Sequence, residues 1–463
     1  MKTWNQLFVR QGFRVCEKEQ GAFDGRGETE ENMVFLLECL QRAGVPVHGD
    51  ACLFQIEAAP IAEAEWLAAV EFQSRGIGEG LWFRPGQEEP KVRELDTYIS
   101  GVVRELNRLG LFTILSCDGH GRRLPFVELA SEKDTELAEV LLLAAGVKRV
   151  QVRRGRTLAM LTEREELLDV AEKLHCVQPE WLQEGAEYVR RQFFYLQVEE
   201  LLSVSGVSGS EGEIRQLVYH KLEPFVDHMM VDSYGNLVAQ KKCRRGNGPT
   251  ILLNAHLDTV EELVPGRRIE KNESIWSSSA GILGADDRAG VAVLLETARC
   301  LDASGFSGTV KFLFTVEEEV GLCGAREVAE HFLWDVDAAI VVDRRGTGDI
   351  VTSCGGWEFF CQEAYGELFE DMAVLEGLSG WKCTAGGSSD TRIWAQQGIQ
   401  SVNLSAGYQH EHTDHETLDV GACYGTLQLV KGVFRHADLL RGVLREIRRD
   451  AREGAAGDRR VRM

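Results

Sequence analysis

Five groups of polar residues in the C-terminal half have types and spacings that could hold metal ions and move protons. His256 and Asp258 lie two apart in AHLDTV, Asp286 and Asp287 are adjacent in GADDRAG, and Glu317, Glu318 and Glu319 are consecutive. Asp343 follows the run AAIVV, and His410, His412 and His415 cluster in YQHEHTDHE. On an extended segment residues two apart point the same way, so Asp258 can orient the imidazole of His256. Three adjacent carboxylates repel one another unless solvent or cations intervene. Each group alone has an ordinary explanation: an acidic pair caps a helix N-terminus, and a Glu triplet makes a solvated turn. Their common context is what singles them out.

That context is a set of aliphatic runs that stop where the polar groups begin. Residues 252–260 (LLNAHLDTV), Thr309–Gly321 (TVKFLFTVEEEVG), Ala338–Gly346 (AAIVVDRRG) and Ser401–Glu416 (SVNLSAGYQHEHTDHE) all follow this pattern. Such runs, separated by helical stretches, read as strands of an α/β fold with a mostly parallel central sheet and helices on both faces. Ligands in these sheets gather outside the carboxyl ends of the strands, which is where the polar groups fall. Asp286 and Asp287 open a further helical segment, Ile282–Leu301, behind a Gly-rich turn.

A length of 463 residues predicts two to three domains. The net charge of -22 argues against nucleic acid and anionic membranes as partners. No stretch approaches the roughly 18 apolar residues of a membrane helix. The 12 cysteines include no CxxC pair and follow no N-terminal apolar signal region, which predicts reduced thiols in a cytoplasmic protein.

Residues 1–90 carry no readable motif, although Met33–Val45 has helical spacing and Pro85–Glu94 reads as a linker. Residues 91–180 alternate amphipathic helices with short strands, the pattern of a small α+β domain. This stretch contains SCDGHGR, with Cys117, Asp118, His120 and Arg122 in one turn; it reads either as a ligand or regulatory pocket or as a plain Gly-rich turn. From Ala186 two helices flank SGVSGSEGE, with Ser208 or Ser210 as the expected start of the second, and a hairpin follows around Tyr234-Gly235-Asn236. The catalytic stretch is expected over 186–444, and the Arg-rich tail, 445–463, is expected to be disordered.

The ordered set SGVSGSE, VDSYGNLVA, AHLDTV, GADDRAGVA, EEEVGLCGA, VVDRRG, GGSSDTRIWAQQGI and HTDHETL resembles the co-catalytic two-metal exopeptidases and amidohydrolases. That family includes peptidase T-like tripeptidases, glutamyl aminopeptidases and aminoacylases, and the resemblance covers about Leu196 to Leu444. It implies that His256 and Asp343 hold one metal, Glu319 and His412 the other, and that Asp286 bridges both. Glu318 matches the general base and Asp258 the acid supporting the first His. His412 is preferred over His410 and His415 because it begins the His-Thr-x-x-Glu run. Gly386, Gly387 and Asp390 match a substrate-side loop. The donor types suit zinc, with cobalt and manganese also compatible.

Relatives often carry an inserted lid or dimerisation domain. Here only 29 residues separate His256 from Asp286 and 68 separate Asp343 from His412, so a bare catalytic body is expected, with the added mass at the N-terminus. An oligomer is compatible, though relatives assemble through the domain absent here. Asp343, where deacylases of the family tend to have Glu, points to an aminopeptidase acting on short peptides. The alternatives are an N-deacylase taking N-acyl amino acids at the same centre, or a gated effector whose residues 1–185 cover or control the hydrolase half.

Overall fold

The computed structural model describes residues 2–50, 52–71, 89–244 and 246–461; Pro85–Glu88, the start of the expected linker, lies outside them. The chain divides into two compact units, residues 1–193 and 194–463. Among the described residues no helix is long and apolar enough to cross a membrane.

In the first unit, the segment without a readable motif forms helices Trp4–Arg10, Glu30–Arg42 and Glu63–Val70 around a four-stranded sheet. Its core centres on Phe8, Phe23, Phe35 and Trp66. Residues 95–189 build a second core under an antiparallel sheet ordered Thr113–Cys117, Phe126–Leu129, Thr157–Leu161, Arg149–Arg153. A region of unclear fold over 1–90 and a small α+β domain over 91–180 were expected here. Buried polar pairs explain why the two cores share one unit: Arg104 meets Glu28 at 2.7 Å with both side chains 1% exposed. Arg10, 4% exposed, lies between Glu63 and Asp169, each at 2.5 Å. A buried cation that loses its carboxylate leaves an uncompensated charge, so such pairs resist separation of the parts they join.

The second unit is built on a nine-stranded sheet. Its centre is four adjacent parallel strands, in the order Gly308–Thr315, Thr250–His256, Ala338–Arg344, Gln400–Ser405. The edges turn antiparallel, with Leu237–Cys243 and His228–Val231 on one side and Asp349–Cys354 on the other. The continuous apolar runs have a direct cause. Alternate residues of one strand enter two different cores: Ile251, Leu253 and Ala255 pack on one face, Leu252 on the other, and Ala338, Ile340 and Val342 part from Ala339 and Val341 in the same way. Each Leu or Ile so buried contributes about 1.5–3 kcal/mol.

Helices Ala285–Ser304 and Val420–Arg435 cover the first face, and Asp390–Gln396 brings Ile393 and Trp394 to the second. Gly290 lets the first of these helices approach the sheet, since a Cβ there would stand 2.0 Å from the Val342 carbonyl oxygen and 2.5 Å from the Asp287 carboxylate. Gly290→Ala is therefore expected to cost on the order of 1–3 kcal/mol. Chemical denaturation measures it, and an unchanged midpoint would contradict so close a contact.

The short stretch between His256 and Asp286 holds the hairpin Ile269–Asn272/Ile275–Ser278 rather than a domain. This hairpin pairs with Thr417–Asp419, which pairs with Tyr408–Gln409, so the loop carrying His410, His412 and His415 is clamped between two strands. At the C-terminus the helix Ala437–Val461 runs through the tail that was expected to be disordered. Leu440, Leu444 and Ile447, spaced as one helical face, join the main core and hold its first half in place.

Candidate metal centre

The four parallel strands deliver their polar ends to one place. His256 is the last residue of its strand and 1% exposed. Its Nε2 lies 3.0 Å from Asp286 Oδ1 and 3.6 Å from Asp343 Oδ1, while His412 Nε2 lies 3.3 Å from Asp286 Oδ2 and 2.9 Å from Glu319. Two groups of potential ligands result, His256/Asp286/Asp343 and Asp286/Glu319/His412, and the donor atoms within each lie within 4.8 Å of one another. Asp286 belongs to both and turns one oxygen towards each imidazole. His410 and His415 join neither group, and both are exposed.

Buried side chains fix these donors. Asp258, fully buried, faces the Nδ1 side of His256 with Oδ1 at 3.3 Å. Its carboxylate accepts the backbone N–H groups of Glu318 (3.0 Å) and Glu319 (3.1 Å) and the hydroxyl of Ser208 (2.7 Å). Burial alone would raise Asp258; His256, Ser208 and the Glu318 N–H outweigh it and bring the carboxyl down to about 2. Asp258 thus stays ionised and ties the first imidazole to the Glu triplet. Neither Ser208 nor Ser210 caps the following helix, contrary to expectation: Glu211 occupies that position, and the Ser208 hydroxyl is spent on Asp258.

The helix-cap explanation of the Asp pair holds for one member. Asp287 accepts the Gly290 N–H at 3.0 Å, whereas Asp286 turns towards the imidazoles. The N–H groups of Gly284, Ala285 and Asp286 are taken by a residue from the far end of the chain, Glu416, at 2.7, 2.8 and 3.0 Å. Sequence reasoning placed Glu416 at the end of the His-Thr-x-x-Glu run without a role. Glu416→Ala would strand three N–H donors behind Asp286 and is expected to weaken metal binding about 10–100-fold. Competition against a chromophoric chelator measures it, and wild-type affinity would show that Asp286 holds its place without this support.

Two further partners escaped the sequence. Tyr408 donates its hydroxyl to Asp343 Oδ1 at 3.0 Å, and the Asn403 side chain accepts the Asp343 N–H at 2.9 Å. Asp390, expected on a substrate-side loop, stands at the head of the helix Asp390–Gln396. It is 1% exposed and accepts the Thr315 hydroxyl at 2.5 Å, because it opens a helix packed on the sheet; in that loop it is Gly387 that is exposed.

Burial first, then mutual repulsion among the carboxylates, drives proton affinities upward. Glu318 is pushed up to about 10 by burial and by Asp343, Asp390 and Glu319, and Glu319 to about 7 by burial and by Asp286 and Asp343. His412 rises to about 9, chiefly through its bond to Asp286. So many anionic donors around two imidazoles form a set that cations would relieve, with ligand types that suit divalent transition metals. The residues present therefore fit a resident metal.

The profile of peptidase family M28 matches residues 236–434, a span holding every donor above. That segment is a peptidase family M28 domain. A protein of Acetivibrio thermocellus, an as yet unverified aminopeptidase, is 24% identical and aligns with 50% of this chain and 96% of its own. A peptidase T-like protein of Yersinia pestis is 24% identical over 36% of this chain and 50% of its own. The crystal structure of aminopeptidase PepT from Bacillus cereus superposes with a TM-score of 0.48 at 19% identity, covering 53% of this chain and 98% of that one. The M28 domain makes the protein a hydrolase of the peptidase class that depends on bound metal.

Proposed function

We propose that the protein is an aminopeptidase that removes residues from short peptides, using two divalent cations, zinc first among them, held by His256 and Asp343 on one side and Glu319 and His412 on the other, with Asp286 shared. The observation carrying this reading is Asp286, which directs separate oxygens to the two imidazoles. When bound, the cations supply Lewis-acid polarisation to the scissile carbonyl and the attacking water.

Glu318 belongs to neither group of ligands, yet its backbone is fixed by Asp258 at the rim of both. Its carboxylate takes a proton from the water and delivers it to the departing amine. A shuttle must hold the proton between those events, and a carboxylate that belongs to neither group of ligands is free to do so. Asp258 keeps the His256 ring oriented throughout, and Tyr408 does the same for Asp343.

Free-amine peptides are favoured over N-acyl substrates on two grounds: the relatives named as aminopeptidases, and an anion beside the centre. Glu411 precedes His412, pairs one oxygen with Arg345 at 2.9 Å, and leaves Oε2 buried without a hydrogen-bond partner. It lines a cavity of about 500 Å³ with Arg345, Gln409, His410, Thr413 and His415, where an α-amine could be received. The 12 unbridged cysteines support a reducing, cytoplasmic setting.

The test is a panel of di- and tripeptides, each with free and acetylated amino termini, given to the full chain before and after chelation. Hydrolysis is expected for free-amine peptides alone, lost on chelation and restored by zinc. Turnover confined to acetylated substrates would replace the aminopeptidase reading by the deacylase one.

A further inference from the structure

The first unit carries a second constellation of ligand types. In the SCDGHGR turn, Cys117 ends the strand Thr113–Cys117, Asp118 follows it, and His120 lies in the next half-turn. A fourth group, Asp96, reaches the turn from the segment ahead of the helix Ser100–Arg108. One donor atom from each of these four residues falls within 4.8 Å of the others. His120 Nδ1 is 3.1 Å from Asp118 Oδ1, and its Nε2 is 3.7 Å from Asp96 Oδ2.

From this geometry we propose that Asp96, Cys117, Asp118 and His120 form a metal site of their own, taking a divalent transition metal of the zinc class. Four ligands including a thiolate and an imidazole make a closed set, the pattern of a structural site rather than one with an open position for substrate. A sulfur ligand selects against magnesium and calcium, which prefer all-oxygen sites.

Apart from His120, whose side chain is 63% exposed, the two carboxylates have no counter-charge against them among the described residues. Asp118 is 3% exposed and the Asp96 side chain 11% exposed, and among the described residues neither forms an ion pair with Lys or Arg. Arg164 acts on Asp118 from a distance, but its guanidinium pairs with Glu165 at 3.0 Å and stacks on Tyr98 at 4.2 Å. Two buried anions side by side are costly unless a cation joins them.

The backbone holds the donors inward: the Asp118 N–H donates to Asp96 Oδ2 at 3.1 Å, and the Gly119 N–H donates to Cys117 Sγ at 3.3 Å. Hydrogen bonds of this kind orient metal ligands. His120 sits in the left-handed region (φ 50°), so His120→Asn removes the imidazole while keeping a residue that tolerates the turn.

The M28 centre uses only nitrogen and oxygen donors, so sulfur distinguishes the two sites. Full-length protein stripped of metal is titrated with Co²⁺ and followed by absorption. Thiolate-to-cobalt charge transfer in the near ultraviolet reports Cys117 and is silent on the catalytic half. The band is expected in the wild type, absent in Cys117→Ser, and shifted to at least about tenfold weaker cobalt binding in His120→Asn. In His120→Cys it should intensify through a second thiolate, a gain that misfolding cannot imitate. No band in the wild type, a band that survives Cys117→Ser, or an unchanged band in His120→Cys would each overturn the four-ligand assignment.

Discussion

Replacing Glu318 by Gln is expected to lower kcat/KM on a free-amine dipeptide by roughly 10²–10⁴-fold while leaving the metal content of the protein unchanged. The separation of the two effects follows from where Glu318 stands. Its backbone N–H is held by Asp258, and the mutation does not touch that bond. Its side chain is absent from both groups of potential ligands, so no donor is lost. Gln keeps the shape and hydrogen-bonding reach but cannot carry a proton from water to amine. The decisive readouts are elemental analysis and steady-state rates on the same preparation. Loss of metal together with activity would make Glu318 a ligand instead of a proton shuttle, and unaltered turnover would remove it from the reaction.

The second large effect is expected at Asp286. It is the one carboxylate common to both donor groups, it is 8% exposed, and its two oxygens face different imidazoles. Burial on its own would raise its proton affinity, yet the bonds from His256 and His412 hold it well below the ordinary carboxylate range. It is thus ionised wherever the histidines are in place. Asp286→Ala should weaken metal uptake at both groups at once, by more than the about 10–100-fold typical of supporting residues, with activity falling in parallel. His412→Ala provides the contrast, because it removes a donor from one group only. Metal titration by calorimetry distinguishes the cases: a binding step of wild-type affinity remaining in Asp286→Ala would mean that Asp286 is not shared.

How far the sequence could be read follows from what kind of information each feature needs. The parallel strands were legible because residues 250–256 and 308–315 carry apolar side chains at consecutive positions (ILL and FLF), a pattern that suits a sheet buried on both faces. The polar groups that end those strands were legible for the same reason. His412 could be preferred among three histidines only through its resemblance to a family pattern, since spacing treats His410, His412 and His415 alike.

Ser208, Asn403, Tyr408 and Glu416 could not be given their roles. Each acts on a residue 50 to 132 positions away, and no local period encodes such a pairing. The burial of Asp390 could not be read, because GGSSD reads as a polar turn whereas the helix it opens is packed onto the sheet. The helix Ala437–Val461 was not read past 444 because the Arg content of 445–463 outweighed Ile447, the one core residue there that continues the face of Leu440 and Leu444.

By itself, then, the sequence determined which strands exist, where they end and which donor types stand at those ends, because hydrophobic periodicity and local composition act over a few residues. Only the tertiary structure decided which oxygen of Asp286 meets which imidazole, that Glu416 rather than an Asp caps the loop behind it, and that Asp96 joins Cys117 and His120 in the first unit. Those outcomes depend on bringing distant segments within hydrogen-bond reach, and that is set by how the strands stack and the helices pack upon them.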